Sequence, residues 1–175
     1  NRDKLKCFRS EAQPKRLAMT RESTELKKPF VLGNGQTIKN RLFKSAMSEQ
    51  LGNKAHNPTQ GLANLYRTWA EGGIGLSVSG NIMIDRSALG EPKNVVLDGH
   101  SDLRPFQAWA QAGTVNGAQL WAQLNHPGKQ IPNFLSTEPV APSAIALQGG
   151  LEKGFNKPRA LSEEEIEAII AKFAL

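Results

Sequence analysis

Cysteine is almost absent from this sequence, since Cys7 is the only one among the 175 residues. A single cysteine can form no internal disulfide and cannot build a cysteine-based metal site. Structural disulfides belong to oxidising compartments, and a chain without them suits a reducing one. We therefore expect a cytoplasmic protein.

Long apolar runs are also lacking. No stretch approaches the roughly 20 apolar residues that a membrane-spanning helix needs. The start of the chain has no apolar segment of the kind found in secretory signal peptides. The sequence therefore predicts no association with a membrane.

The positive charge is concentrated at the start of the chain. The formal net charge is +6, and residues 1–18 contribute +4 of it. The remaining residues show no basic face interleaved with aromatic side chains, which a nucleic-acid-binding domain would carry. We expect no nucleic-acid partner.

The first part of the chain shows no apolar periodicity. The chain begins with Asn1, and its first methionine is Met19. We expect residues 1–29 to be a disordered leader or upstream segment, with Met19 as the natural start or with residues 1–18 coming from an upstream or fused sequence. The fold prediction rests on residues 30–175.

Several familiar functional motifs are missing. The sequence has no G-x-G-x-x-G after a strand and no P-loop, and it has no G-x-S-x-G elbow. His56, His100 and His126 are isolated from one another, so we expect no metal site. The run Glu163–Glu165 is predicted to cap a helix and not to form a carboxylate site.

Patterned sequence begins near Phe30 and alternates between strands and helices. Asn34-Gly35 predicts a hairpin with a type I′ turn. Three strand–helix units follow, with strands at 41–47, 75–84 and 118–125. Alternation of this kind indicates a parallel sheet covered by helices, either an open doubly wound sheet or part of a (β/α)₈ barrel. Residues 126–160 show no helical period, which indicates a functional or disordered loop.

The three helices are predicted from their caps and from apolar residues on one face. Their predicted starts are Thr59, Ser101 or Asp102, and Ser162, which forms a capping box with Glu165. The predicted inward residues are Leu62, Leu65, Tyr66 and Trp69 in the first helix, Leu103, Phe106 and Ala110 in the second, and Ile166, Ile169, Ile170 and Phe173 in the third.

Candidate site residues lie where the strands end, because parallel α/β folds bind ligands at the carboxyl ends of their strands. The first strand ends in Ala46-Met47-Ser48, the second passes through Gly80, and the third holds Gln123. The Gln123 amide suits a ligand that offers both donors and acceptors, or else bonds a neighbouring loop. Ser48 is predicted either to bond a ligand or to cap a turn. Gly80 indicates either close approach to a ligand or a β-bulge.

These motifs together resemble a known family. The sequence from about Phe30 onward is similar to the N-terminal part of the NADH:flavin oxidoreductase (NADH oxidase) family, the old yellow enzymes. The similar segments, in the same order and spacing, are residues 32–35 (LGNG), 38–48 (IKNRLFKSAMS), 65–76 (LYRTWAEGGIGL), 79–81 (SGN), 121–130 (WAQLNHPGKQ) and 158–162 (PRALS).

The resemblance implies an α/β fold, a (β/α)₈ TIM barrel represented by the N-terminal hairpin and about three βα units. It implies that FMN lies across the barrel mouth, with NADH or NADPH as reductant and a small-molecule acceptor such as an activated alkene. The backbone of Ala46 and Met47 would face the flavin ring, and the Gly80 backbone would approach it. Ser48 takes the place of a flavin-tuning Cys or Thr of the relatives, and the Gln123 amide would bond the pyrimidine edge.

The resemblance also implies which parts of the enzyme lie elsewhere. The His-Asn or His-His pair that anchors the substrate, the proton-donating tyrosine and the phosphate-binding loops are expected beyond Leu175, so we predict no catalytic residue within this chain. We expect the chain to be a truncated barrel that is inactive by itself, within an active parent enzyme that can form an oligomer. The alternative is a catalytically inactive relative that acts as a binding or interaction module.

Overall fold

The computed structural model describes residues 25–174, so Cys7, Met19 and most of the predicted leader lie outside the described part. The helices are α1 Gln60–Glu71, α2 Leu103–Gly113 and α3 Glu163–Lys172. The strands are β1 Phe30–Val31, β2 Thr37–Ile38, β3 Phe43–Lys44, β4 Leu76–Met83, β5 Val95–Val96, β6 Gln119–Asn125, β7 Val140–Ala141 and β8 Arg159–Ala160. None of the helices in residues 25–174 is both long and apolar enough to cross a membrane.

The predicted hairpin is confirmed, but its turn type is wrong. Strands β1 and β2 pair antiparallel, and Phe30 lies opposite Ile38. A type I′ turn needs positive φ at both central residues, whereas Gly35 (φ 85°) has it and Asn34 does not. Instead, the Asn34 side-chain oxygen accepts the Gln36 backbone N–H at 3.1 Å, and this hydrogen bond supports the loop.

The central sheet is parallel, as predicted. Strand β4 pairs with β3 along one edge and with β6 along the other, and β5 pairs with the end of β4. The first strand is shorter than the predicted span 41–47, because only Phe43 and Lys44 pair with β4. Beyond Lys44 the chain leaves the ladder and passes over a bulge in β4 between Val78 and Asn81.

Helices α1 and α2 cover one face of this sheet and form the core with it. The buried cluster contains Leu62, Ala63, Tyr66, Ile82, Val95, Trp109 and Ala112. The Tyr66 ring meets the Trp69 and Trp109 rings edge-on, at centroid distances of 4.9 and 5.2 Å. Aromatic pairs in this geometry add to the stabilisation from burial alone. The Thr59 cap and the inward positions of Leu62, Tyr66 and Trp69 are therefore confirmed. Leu65, also predicted to face inward, is half-buried and lies outside the core cluster.

The predicted inward face of α2 is partly wrong. Asp102 caps the helix, as one of the two predicted starts. Phe106 packs against the core, but Leu103 and Ala110 are exposed, while Trp109 and Ala112 are buried. Leu103, in the first turn of α2, is 55% exposed, so its apolar character does not lead to burial.

Helix α3 has the predicted cap but not the predicted packing. Ser162 and Glu165 form the reciprocal capping box, and Arg159 lowers the pKa of Glu165 to about 2. Ile166 and Ile169 are half-buried, whereas Ile170 and Phe173 are exposed, in contrast to the predicted stripe. The helix joins the rest of the chain through an ion pair between Lys172 and Asp85, which follows β4.

Candidate functional site

The face of the sheet opposite the helices carries a row of amide side chains. Asn81 lies beside Gln123, and Met83 lies beside Asn125, in the parallel register of β4 and β6. Partnered residues of neighbouring strands point to the same face, and Ile82, the residue between, belongs to the helix-covered core. Asn81, Gln123 and Asn125 therefore share the free face near the carboxyl ends of the strands.

These amides are only partly paired with each other. Asn125 Nδ2 donates to Asn81 Oδ1 at 3.2 Å, while Asn125 Oδ1 is buried without a hydrogen-bond partner in the described part of the chain. A buried acceptor without a partner costs about 1–3 kcal/mol. The Gln123 backbone N–H donates to Ser79 Oγ at 2.9 Å. Within residues 25–174, the Gln123 side-chain amide has no hydrogen-bond partner, so it is available to a ligand.

The segment after β3 brings Met47 to Gly80. A Cβ added to Gly80 would lie 2.3 Å from the Met47 carbonyl oxygen and 2.3 Å from Glu49 Oε2, so only glycine fits there. Gly80 lies within the β4 bulge, which agrees with the bulge interpretation of this residue. The close approach seen here is by the chain itself, and Ala46 and Ser48 lie on either side of Met47.

A buried polar cluster behind this segment was missed by the sequence analysis. The side chains of Lys44 and Glu49 are 9% and 10% exposed. The Tyr66 hydroxyl donates to Glu49 Oε1 at 2.6 Å and accepts the Gly80 N–H at 3.2 Å. Lys44 Nζ donates to the Val78 carbonyl at 2.8 Å and to the Tyr66 hydroxyl at 3.2 Å. A lysine within an otherwise apolar strand was the available signal.

The cluster shifts the pKa values of Tyr66 and Lys44. Burial raises the pKa of Tyr66 well above its ordinary value, and the bond to Glu49 raises it further. Burial lowers the pKa of Lys44, an effect that Glu49 opposes. The ammonium of Lys44 also lies 4.8 Å from the centre of the Trp69 ring, in a cation–π position. The cluster thus ties the segment after β3 to α1 and to the β4 bulge.

The five predicted site residues occupy two places at the same end of the sheet. Ala46, Met47, Ser48 and Gly80 lie together where β3 ends, and Gln123 lies on β6, across β4 from them. The Ser48 hydroxyl donates to Glu91 in the loop after β4, a contact that the sequence did not predict.

The comparisons with known proteins agree with this architecture. The family model of the NADH:flavin oxidoreductase / NADH oxidase family matches residues 25–175. The NADH-dependent flavin oxidoreductase iliE of Neonectria sp. is 36% identical over 164 residues, which cover 84% of this chain and 21% of that protein. The protein of the same name from Hypocrea jecorina is 34% identical, with 83% and 41% covered.

A solved structure gives the same result at the level of the fold. The old yellow enzyme homologue from Zymomonas mobilis superposes with a TM-score of 0.73 at 27% identity, over 85% of this chain and 43% of that one. The chain thus spans less than half the length of these relatives. Because this chain superposes on old yellow enzyme structures, its fold is an incomplete (β/α)₈ barrel and not an open sheet. The chain belongs to the NADH:flavin oxidoreductase / NADH oxidase family, the old yellow enzymes.

Proposed function

We propose that this chain forms the first part of an FMN-dependent oxidoreductase that transfers a hydride from NADH or NADPH to an acceptor such as an activated alkene. The observation that carries the proposal is the available amide of Gln123 on the free face of the sheet, at the end where barrels bind ligands. The relatives named as NADH-dependent flavin oxidoreductases support the same chemistry.

The residues on this face fit a flavin. The pyrimidine edge of the ring alternates hydrogen-bond donors and acceptors, and a primary amide such as Gln123 supplies both. The buried, unpartnered Asn125 Oδ1 adds an acceptor on the same face. The charged pair nearest the proposed flavin wall, Lys44 and Glu49, is buried on the helix-covered side of the sheet, where its members bond to each other.

The proposal assigns binding and orientation to this chain. Gln123 holds the pyrimidine edge, and the Ala46–Met47 backbone, Ser48 and Gly80 form a wall beside the ring. Bound FMN supplies the two-electron chemistry between the nicotinamide and the acceptor. The groups that anchor the acceptor and donate a proton to it come from other parts of the barrel, and so does the phosphate site.

The proposal also covers the setting of the enzyme. We place it in the cytoplasm, on the basis of the single cysteine. We expect small molecules as its partners, and self-association into an oligomer is compatible with the site.

The alternative, an inactive binding module, is distinguished by NADH-dependent bleaching of the flavin absorbance. Residues 19–175 alone should bind FMN poorly and show no turnover, because the open edges of β3 and β6 leave the flavin site one-sided.

The test replaces Gln123 in the flavin-loaded protein that contains this chain. Gln123→Leu should weaken FMN binding by about two- to tenfold, since a typical lost hydrogen bond is worth about 0.5–1.5 kcal/mol. Gln119→Leu is the matched control, because Gln119 lies on the same strand and donates to the Thr37 carbonyl at the opposite end. Equal FMN affinity of the Gln123→Leu variant and the wild type, measured by fluorescence quenching, would contradict the placement of the flavin.

A further inference from the structure

The carboxylate of Glu91 joins the two loops that follow β3 and β4. The Ser48 hydroxyl donates to Glu91 Oε2, and Gln50 Nε2 donates to Glu91 Oε1 at 3.3 Å. Both oxygens of one carboxylate therefore receive side chains from the segment that the proposed function places beside the flavin.

Glu91 itself is held in position by a buried asparagine. The backbone N–H of Glu91 donates to Asn94 Oδ1 at 2.6 Å, and Asn94 Nδ2 donates to Glu91 Oε2 at 3.2 Å. Asn94 is only 3% exposed. The Gly52 N–H donates to the Lys93 carbonyl at 3.0 Å, and a Cβ on Gly52 would lie 2.6 Å from that oxygen. The two loops are therefore in direct backbone contact beside the carboxylate.

The backbone two residues after Ser48 is strained. Contacts from neighbouring residues must therefore hold this segment in its conformation. Gln50 has a φ of 51°, in the left-handed region that residues other than glycine rarely adopt. Such conformations persist only where neighbouring contacts hold them in place, and they are frequent at ligand sites. The bond from the Gln50 side chain to Glu91 is a contact of this kind.

We propose that Glu91 is a positioning residue that accepts the hydrogen bond of the Ser48 hydroxyl, so that the Ser48 oxygen faces the flavin as an acceptor and not as a donor. The inference rests on the proposed function, which brings the flavin to Ser48. A serine hydroxyl has a single O–H to donate, and hydrogen bonds to a carboxylate are stronger than those to a neutral acceptor.

The consequence concerns how readily the bound flavin is reduced. Reduction adds electron density to the ring, and a hydrogen-bond donor aimed at developing negative charge stabilises it. While its O–H donates to Glu91, the Ser48 hydroxyl offers no hydrogen-bond donor to the flavin. Glu91 therefore favours the oxidised flavin, and its removal should release the hydroxyl to stabilise the reduced form.

The test is a double-mutant cycle on the midpoint potential of FMN in the flavin-loaded protein that contains this chain. We expect Glu91→Ala to favour flavin reduction about tenfold, which is about 30 mV for a two-electron couple. The same change in a Ser48→Ala background should have little effect on the potential, because alanine has no hydroxyl group that could donate to the flavin. Glu71→Ala, at the exposed end of α1, is the control and should leave the potential unchanged.

The remaining outcomes separate the possible errors. Equal shifts in both backgrounds would show that Glu91 acts through its charge alone, and no shift in either would show that it does not act on the flavin; both overturn the proposal. Glu91→Gln keeps an oxygen that can accept the Ser48 proton, so it should shift the potential much less than Glu91→Ala. A shift as large as tenfold in Glu91→Gln would also overturn the proposal. A wild-type protein that holds no FMN would contradict the proposed function itself.

Discussion

The two faces of the β4–β6 sheet differ in how completely their polar groups are paired. On the helix-covered face, Lys44, Glu49 and Tyr66 are buried and bonded to one another. On the free face, the side-chain amide of Gln123 is available and Asn125 Oδ1 has no partner within residues 25–174. A paired, buried group contributes to folding, whereas an unpaired one is available to a ligand. This difference supports the proposal that one face of the sheet serves stability and the other serves ligand binding.

The largest expected effect concerns the helix-covered face. Lys44→Met should lower the free energy of unfolding by about 3–5 kcal/mol, because it leaves the buried Glu49 carboxylate without its cation. Lys44→Met/Glu49→Leu should recover most of this loss, since replacing both members of a buried ion pair by apolar residues is often neutral. Urea unfolding checks both variants, and a double variant no more stable than the single one would contradict the assignment of a buried pair.

An intermediate effect on stability is expected at Gly80, which bonds to Tyr66 of the buried cluster and lies against Met47 of the proposed flavin wall. Gly80→Ala should destabilise the protein by about 1–3 kcal/mol, because the new methyl group overlaps the Met47 carbonyl and the Glu49 carboxylate. It should also weaken FMN binding, since the displaced segment is the proposed flavin wall. Thermal unfolding and FMN titration measure the two effects. Gly99→Ala is the control, because an added Cβ there meets nothing within 4 Å.

The smallest effect on stability is expected away from both faces, at the Arg86–Asp98 ion pair. The guanidinium of Arg86 lowers the pKa of Asp98 below its ordinary value, assisted by bonds from the His100 N–H and the Ser101 hydroxyl. Because the folded-state pKa is depressed, this stabilisation is present above the pKa of the unfolded aspartate, near 4, and is lost as the pH falls below it.

The measurement compares unfolding midpoints of Asp98→Asn and the wild type between about pH 7 and pH 2, a range set by the ordinary aspartate pKa. The difference between the two proteins should shrink as the solution is acidified, while FMN binding at neutral pH stays unchanged. A difference that is constant across the range would show that the Asp98 charge does not contribute to stability.

Local features of the chain were predictable from the sequence. The Thr59 cap, the capping box of Ser162 and Glu165, and the inward face of α1 depend on residues within a few positions of one another. The alternation of strands and helices indicated a parallel sheet, and period-two alternation along β6 indicated that Gln123 and Asn125 share a face. The motifs that resemble the family also lie within short segments, which is why the family was identified correctly.

Other features were decided only by tertiary structure. The partners of Lys44 come from β4, α1 and the segment after β3, and the partner of Ser48 comes from a loop 43 residues further along the chain. The packing of α3 was mispredicted for the same reason, because an apolar stripe shows that a face can be buried but not what lies against it. Sequence by itself determined the three helices, the hairpin, the main parallel strands and the family, since those depend on neighbours in the chain. It did not predict the two-residue strands β5, β7 and β8, which lie in segments predicted to be loops and form only by pairing with distant residues. Which polar groups are paired depended on residues that only the folded chain brings together.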